Sequence, residues 1–345
     1  MKRNYITSLM IAAIASILAT GCSKNKDWTV TEGVIWHTTY RIVYQGSLSL
    51  SDSVLNVLGN VEMSLSPFRD ASLVSRINRA ETDSTDAMLR QTFDIALHVN
   101  RASHGRFDPT VAPLINLWGF GTDSIARKRA ETEGVDYSFT VTPSELDSAL
   151  SLVGIAECYV ENGVIHKKHP LTTFNFSAIA KGYGCDMVAE MLKRNGVENY
   201  LVEIGGEIAA GGKNRQGNPW KIQIDAPVEN PAEPIHSRLR IISIENGGIA
   251  TSGNYRNFHE TRRYGKFGHT IDPLSGYPVS TPIVSATVIA PTCAEADAWA
   301  TACMATPDLQ SAIDMIRNEP DVEALLVVAK GDSLRTVTTS DCQFQ

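Results

Sequence analysis

The segment Phe174-Asn175-Phe176-Ser177-Ala178-Ile179-Ala180-Lys181-Gly182-Tyr183-Gly184-Cys185-Asp186 constrains this 345-residue chain more than any other stretch. An alternating, strand-like entry runs straight into a helix start, and the pattern predicts a helix over Ala178 to Asn195. Unpaired N–H groups at a helix N-terminus point outward with the positive end of the dipole, and Lys181 in the first turn adds a full charge beside them. Such a junction suits an anion, phosphate above all. A plain strand-to-helix connection, with Ser177 as the cap and Lys181 in solvent, accounts for the same residues.

The first residues, Met1-Lys2-Arg3-Asn4, precede an apolar run from Tyr5 to Ala19 and then Thr20-Gly21-Cys22. This order reads as an export leader over residues 1–21, outside the fold, and the cysteine after small residues resembles the lipobox of bacterial lipoproteins. Cys22 would then carry the lipid and anchor the protein to a bacterial membrane, facing the periplasm; with Ala19 where an aliphatic residue is usual and Leu18 one place further back, an uncleaved anchor or a plain secreted form is the alternative. Residues 22–345 remain, enough for one large or two modest domains with a substantial core. Lys2 and Arg3 would leave with the leader and take the formal net charge from −7 to −9. That balance argues against nucleic acid as a partner, so substrate phosphates must be met locally. Besides Cys22 the chain has Cys158, Cys185, Cys293, Cys303 and Cys342, with no C-x-x-C pair, and signals neither a disulfide framework nor a zinc site. They read as core thiols.

Strands are predicted around Thr29 to Trp36 and Thr39 to Tyr44, and helices near Ser51 to Ser64, Ser72 to Arg79 and Asp86 to Ser103. Pro109 and Pro113 frame a segment read as irregular, ending Trp118-Gly119-Phe120-Gly121, and Thr122 to Phe139 reads as an insertion. Helices follow at Ser144 to Val153, Cys293 to Ala305 and Asp308 to Arg317 among short strands, with closing strands at Val322 to Val328 and Leu334 to Thr338. The order lacks regular βαβ alternation and predicts an α+β fold with mixed or antiparallel sheets and flanking helices. Gly205-Gly206 lies between apparent strands and opens no helix, so it reads as a tight hairpin turn requiring positive φ, not a dinucleotide fingerprint.

Three other places carry candidate chemistry. On the predicted helix through Ala294 to Ala302, Asp297 and Thr301 are four apart and share a face. A carboxylate and a hydroxyl suit magnesium that keeps waters and takes further oxygens from phosphates; alternatively Thr301 bonds back to the Asp297 carbonyl and Asp297 is solvated. His269 precedes the turn Asp272-Pro273 and could act as a general base, or lie at the surface beside that turn. Phe107 to Gly121 sets Trp118 and Phe120 beside glycines, an arrangement for a flat ring or for a satellite core. No G-x-S-x-G elbow, H-E-x-x-H or Walker loop is present.

Taken in order, F-D-P-T with W-G-F-G, S-A-I-A-K-G-Y, L-V-E-I-G-G-E-I, S-G-N-Y, H-T-I-D-P-L-S-G and A-D-A-W-A-T resemble the FAD:protein FMN transferase (ApbE) family. The resemblance implies a flavin cleft in an α+β fold and a magnesium-dependent transfer of FMN from FAD to a Ser or Thr of an acceptor flavoprotein, releasing AMP. It implies metal ligands at the Ala178 carbonyl, Asp297 and Thr301. It also implies flavin contacts from Trp36, Phe68, Trp118, Gly119, Phe120, Asn175, Lys181 and Ile271, with His269 activating the acceptor hydroxyl and Asp297 also serving the chemistry. Two residues depart from the family pattern: Asn175 stands where Asp is common, and His37 replaces a glycine. An FAD pyrophosphatase, with water in place of the hydroxyl, and a flavin-binding lipoprotein without chemistry are the competing readings.

Asp272-Pro273-Leu274-Ser275-Gly276 begins like the acceptor motif D-x-x-[ST]-G-A-[ST], but Tyr277 and Pro278 break it. Ser275 is therefore predicted to be a turn residue that takes up no FMN. Intact-mass measurement of the protein incubated with FAD and Mg2+ is expected to show no added FMN; a gain of one FMN would contradict this.

Overall fold

The computed structural model describes residues 27–121, 140–227, 238–254, 258–261, 264–331 and 333–340. The expected leader, Cys22, the insertion at Thr122 to Phe139, Tyr255 of S-G-N-Y and Cys342 lie outside the described residues. The chain opens with strands β1 (Trp28–Ile35) and β2 (Thr38–Gln45), then helices α1 (Ser51–Leu65), α2 (Leu73–Asn78) and α3 (Ala87–Ala102). Helix α4 (Ala112–Leu117) and helix α5 (Pro143–Leu150) precede the small hairpin β3 (Tyr159–Glu161) and β4 (Val164–His166). Next come α6 (Ala180–Arg194), β5 (Tyr200–Ile204), β6 (Glu207–Gly211), β7 (Trp220–Asp225), β8 (Arg238–Ile244) and β9 (Gly247–Gly253). The chain continues through β10 (Phe258–Thr261), β11 (Gly265–Gly268), β12 (Ile283–Ala290), α7 (Cys293–Met304), α8 (Leu309–Arg317), β13 (Glu323–Lys330) and β14 (Ser333–Thr338).

Eight strands form the main sheet in the order β1-β2-β5-β6-β9-β12-β13-β14, and each neighbouring pair in it is antiparallel. The expected α+β class is therefore present. Strand alternation decides what each face meets. On β6, Ile208 and Ala210 join the apolar side chains of the β7–β8 hairpin, whereas Ala209 packs among Cys185, Val188 and Leu192 of α6. On β13, Leu325 and Val327 face the hairpin side, while Ala324, Leu326 and Val328 face α7 and α8. Both faces are covered, so β6 is buried from end to end.

Most element ends lie within two residues of their expected places. Ser72, Asp86, Thr292 and Asp308 each cap a helix by accepting an N–H three residues on. The hairpin at Gly205 (φ 64°) and Gly206 (φ 102°) joins β5 to β6 and pairs Ile204 with Glu207. Trp36 (φ 50°) and His37 (φ 61°) adopt the same left-handed turn between β1 and β2 without a glycine. Two expectations need correction. The segment after Pro109 contains helix α4, because Pro113 falls in its first turn, where its fixed φ favours helix and its missing N–H costs nothing. Helix α6 begins at Ala180 and is not capped by Ser177; its N-cap, Ile179, makes no side-chain cap.

Helix α7 is apolar nearly all round: Ala294, Ala296, Ala298, Ala300 and Ala302 are buried, with Trp299 and Asp297 among them. Small side chains bury little area each, but they let the helix lie close on β9, β12 and α6. Its first turn is tied to α6 by Asp186, which accepts the Cys293 N–H (2.9 Å) and the Ala294 N–H (2.8 Å). The tightest approach is at Gly182 of α6, where an added Cβ would lie 2.2 Å from the Cys293 carbonyl oxygen and 2.9 Å from Ala294 Cα. Gly182→Ala is therefore expected to destabilise the fold by about 3 kcal/mol through overpacking. Gly59→Ala, in a helix interior with nothing within 4 Å of the new Cβ, is expected to stabilise it by about 0.5–1 kcal/mol. Urea unfolding of both variants checks the contrast; equal midpoints would contradict it.

Candidate active site

The α6–α7 contact brings the expected cation ligands to the junction that opened the sequence analysis. Asp297 is 3 % exposed and accepts the Gly182 N–H at Oδ2 (3.1 Å). As the third residue of α6, Gly182 has an N–H with no acceptor inside the helix, and Asp297 supplies one. Thr301, one turn along α7, lies 3.4 Å from the Ser252 hydroxyl of β9. The solvated alternative for Asp297 is thus excluded by its burial. Both residues line a cavity of about 380 Å³ together with Asn175, Ala178, Lys181, Glu207, Ser252, His269 and Ile271. That volume is within the range of about 300–1,000 Å³ usual for small-molecule pockets.

The entry to α6 is extended, but its backbone bonds to no strand. Asn78 of α2 clamps Phe174, accepting its N–H and donating to its carbonyl (2.8 Å each), and the Asn175 N–H donates to the Pro109 carbonyl (2.7 Å). Phe174 and Phe176 are buried on either side of Asn175, which explains the alternation. Asn175 Oδ1 accepts the Ser177 N–H (2.9 Å), a turn that an Asp oxygen would serve equally. The departure at Asn175 therefore removes a charge from the cavity wall without costing a bond.

Lys181 is not a solvent lysine. Its ammonium pairs with Glu207 at the start of β6, a carboxylate only 3 % exposed whose other oxygen, Oε2, is buried without a hydrogen-bond partner. Burial alone would lower the Lys181 ammonium, but the charges of Asp297 and Glu207 outweigh it and raise it. Burial pushes both carboxyls up, and Lys181 pulls both back. Glu207 was missed by motif reading, although a charge placed directly before Ile208-Ala209-Ala210 was a visible anomaly.

His269 follows β11 at the far wall of the cavity, and Phe120 meets its ring edge-on (6.3 Å between centroids). The loop beyond it closes through the bridge between Ile271 and Pro278, and Ser275 donates to Asp272 Oδ2 (2.9 Å) as expected of a turn residue. Arg106 pairs with Asp272 (2.8 Å) at the same wall.

Trp36, Phe68, Trp118, Gly119 and Phe120 do not line the cavity. Trp118 is 1 % exposed; its indole N–H donates to the Gly276 carbonyl (2.7 Å) and its ring packs edge-on against Phe267. It is a pillar beneath the loop that carries His269 and Ile271. Gly119 follows it at φ 88°. Trp36 lies against Gly184 on α6, and Phe68 is 64 % exposed after α1.

Among the described residues no group of three His, Cys, Asp or Glu side chains is placed to hold a metal. The donors that meet near α7 are hard oxygens: the buried Asp297 carboxylate, the Thr301 and Ser252 hydroxyls and the Ala178 backbone carbonyl. Such a set fits a magnesium ion that keeps waters and takes phosphate oxygens.

The ApbE family model matches residues 33–326. The chain is 33 % identical over 340 residues to the FAD:protein FMN transferase of Vibrio cholerae, covering 96 % of each. It is 34 % identical over 314 residues to that of Haemophilus influenzae, covering 87 % of this chain and 86 % of the relative. Among solved structures it resembles the flavin transferase ApbE of Vibrio cholerae (TM-score 0.76, 30 % identity, 91 % of this chain and 98 % of the other). It also resembles the apo flavinyl transferase ApbE of Pseudomonas stutzeri (TM-score 0.77, 29 % identity, 91 % and 95 %). With the family match spanning most of its length, the chain belongs to the ApbE family.

Proposed function

We propose that the protein is an FAD:protein FMN transferase that moves FMN from FAD to a Ser or Thr hydroxyl of an acceptor flavoprotein, with magnesium as its cofactor and AMP as the leaving product. The observation that carries the reading is the convergence on one cavity of Asp297 and Thr301, Lys181, and His269 from three segments far apart in sequence. The curated relatives named above carry the same activity in their names.

Asp297, Thr301 and the Ala178 carbonyl would hold the ion. When bound, magnesium would supply positive charge at the FAD diphosphate. Lys181 adds a fixed charge beside the same group, held in place by its ion pair. The His269 imidazole takes the acceptor hydroxyl proton as that oxygen bonds to the FMN-side phosphorus. The phosphoanhydride P–O bond then breaks and AMP departs with the electron pair. Acceptors are proteins carrying a D-x-x-[ST]-G-A-[ST]-like motif, presented to the cavity mouth. The exported, periplasm-facing form, lipid-anchored at Cys22 with residues 22–345 as the transferase domain, belongs to the same proposal.

The test is incubation with FAD and Mg2+, with and without an acceptor fragment, read by mass spectrometry and AMP release. Transfer and AMP that both require the acceptor are expected. Equal FAD cleavage without acceptor would establish the pyrophosphatase reading, and FAD unchanged in both arms the binding-only reading. Asp297→Ala is expected to abolish magnesium-dependent transfer. His269→Ala is expected to slow transfer by about 100-fold or more while FAD binding persists. Undiminished transfer in either variant would contradict its role.

A further inference from the structure

We propose that Glu207 is a positioning residue for the dication site: it holds the Lys181 ammonium aside, so that the Asp297 carboxylate stays available to a divalent ion. The inference rests on the reading of the site given above. Glu207 opens β6, a strand covered on both faces, and it lines the cavity with Asp297 and Lys181. One of its oxygens meets Lys181 Nζ; the other is buried and accepts nothing. An apolar residue would suit that place in the core better, since a buried carboxylate with an unpaired oxygen is costly. Its charge explains the cost.

With Lys181 Nζ paired to Glu207, the Asp297 carboxylate, which accepts the Gly182 N–H, is not spent on the ammonium and can attract a dication. Without Glu207, Lys181 and Asp297 would neutralise each other one to one, and the ammonium would compete for the place of the ion. The backbone makes that competition close, because Asp297 already bonds the N–H of Gly182, the residue next to Lys181. Glu207 thus acts through Lys181 and needs no contact with the ion.

The test uses Mn2+ alone, without FAD, titrated into the full chain by calorimetry and by electron paramagnetic resonance of free Mn2+. Glu207→Gln, nearly isosteric, is expected to weaken Mn2+ binding about 10- to 100-fold. The double variant Lys181→Met/Glu207→Gln is expected to recover to within about threefold of wild type, a coupling that simple loss of structure would not give. Wild-type affinity in Glu207→Gln, or a double variant as weak as the single, would overturn the proposal. Should Glu207→Gln fail to fold, the double variant, which leaves no ammonium without its partner, decides alone: near-wild-type affinity supports the proposal and loss of binding overturns it. Asp297→Asn separates the two levels. If it abolishes Mn2+ binding while Glu207→Gln does not weaken it, only the role of Glu207 falls. If Asp297→Asn binds normally, or wild type binds no Mn2+, the dication site falls and this inference with it.

Discussion

The bond from the Gly182 N–H to Asp297 is the contact on which the rest of the site depends. It exists because two helices approach more closely at Gly182 than any side chain would allow, and because α7 is built of alanines that let it settle between α6 and the sheet. One hydrogen bond then does three things. It fixes a buried carboxylate, satisfies an N–H at a helix start, and so ties α6 to α7. Asp186, one turn further along α6, ties the first turn of α7 to the same helix through two N–H bonds.

Around that bond the architecture supplies the remaining parts at fixed positions. The eight-stranded sheet delivers Ser252 from β9 and Glu207 from β6 beneath the helices. The Asn78 side chain and the Pro109 carbonyl hold the entry to α6 in place of a sheet ladder. Trp118 props the turn between Ile271 and Pro278 that follows His269, which lines the same cavity as Asp297.

Much of this was readable from the sequence because local rules agreed with the fold. Asp297 and Thr301 share a helix face by spacing alone, Gly205-Gly206 announces its turn, and Ser72, Asp86 and Asp308 mark helix starts by side-chain chemistry. What was not readable depended on contacts between distant segments. Glu207 stands out as a charge at the head of an apolar strand, but its partner Lys181, 26 residues earlier, is not legible from that. Trp118 carries the same aromatic signal whether it stacks on a ligand or supports a loop, and its bond to Gly276, 158 residues away, is not legible in that signal. The helix at Ala112 was hidden because Pro113 reads as a breaker unless its position in the first turn is known.

The account stands or falls on where a divalent ion sits. Anomalous diffraction from crystals soaked with Mn2+ and FAD measures this directly. A peak at about 2 Å from oxygens of Asp297 and Thr301, with the diphosphate on its open side, is the result the account requires. A bound flavin nucleotide with its ion elsewhere, away from α7, would contradict it.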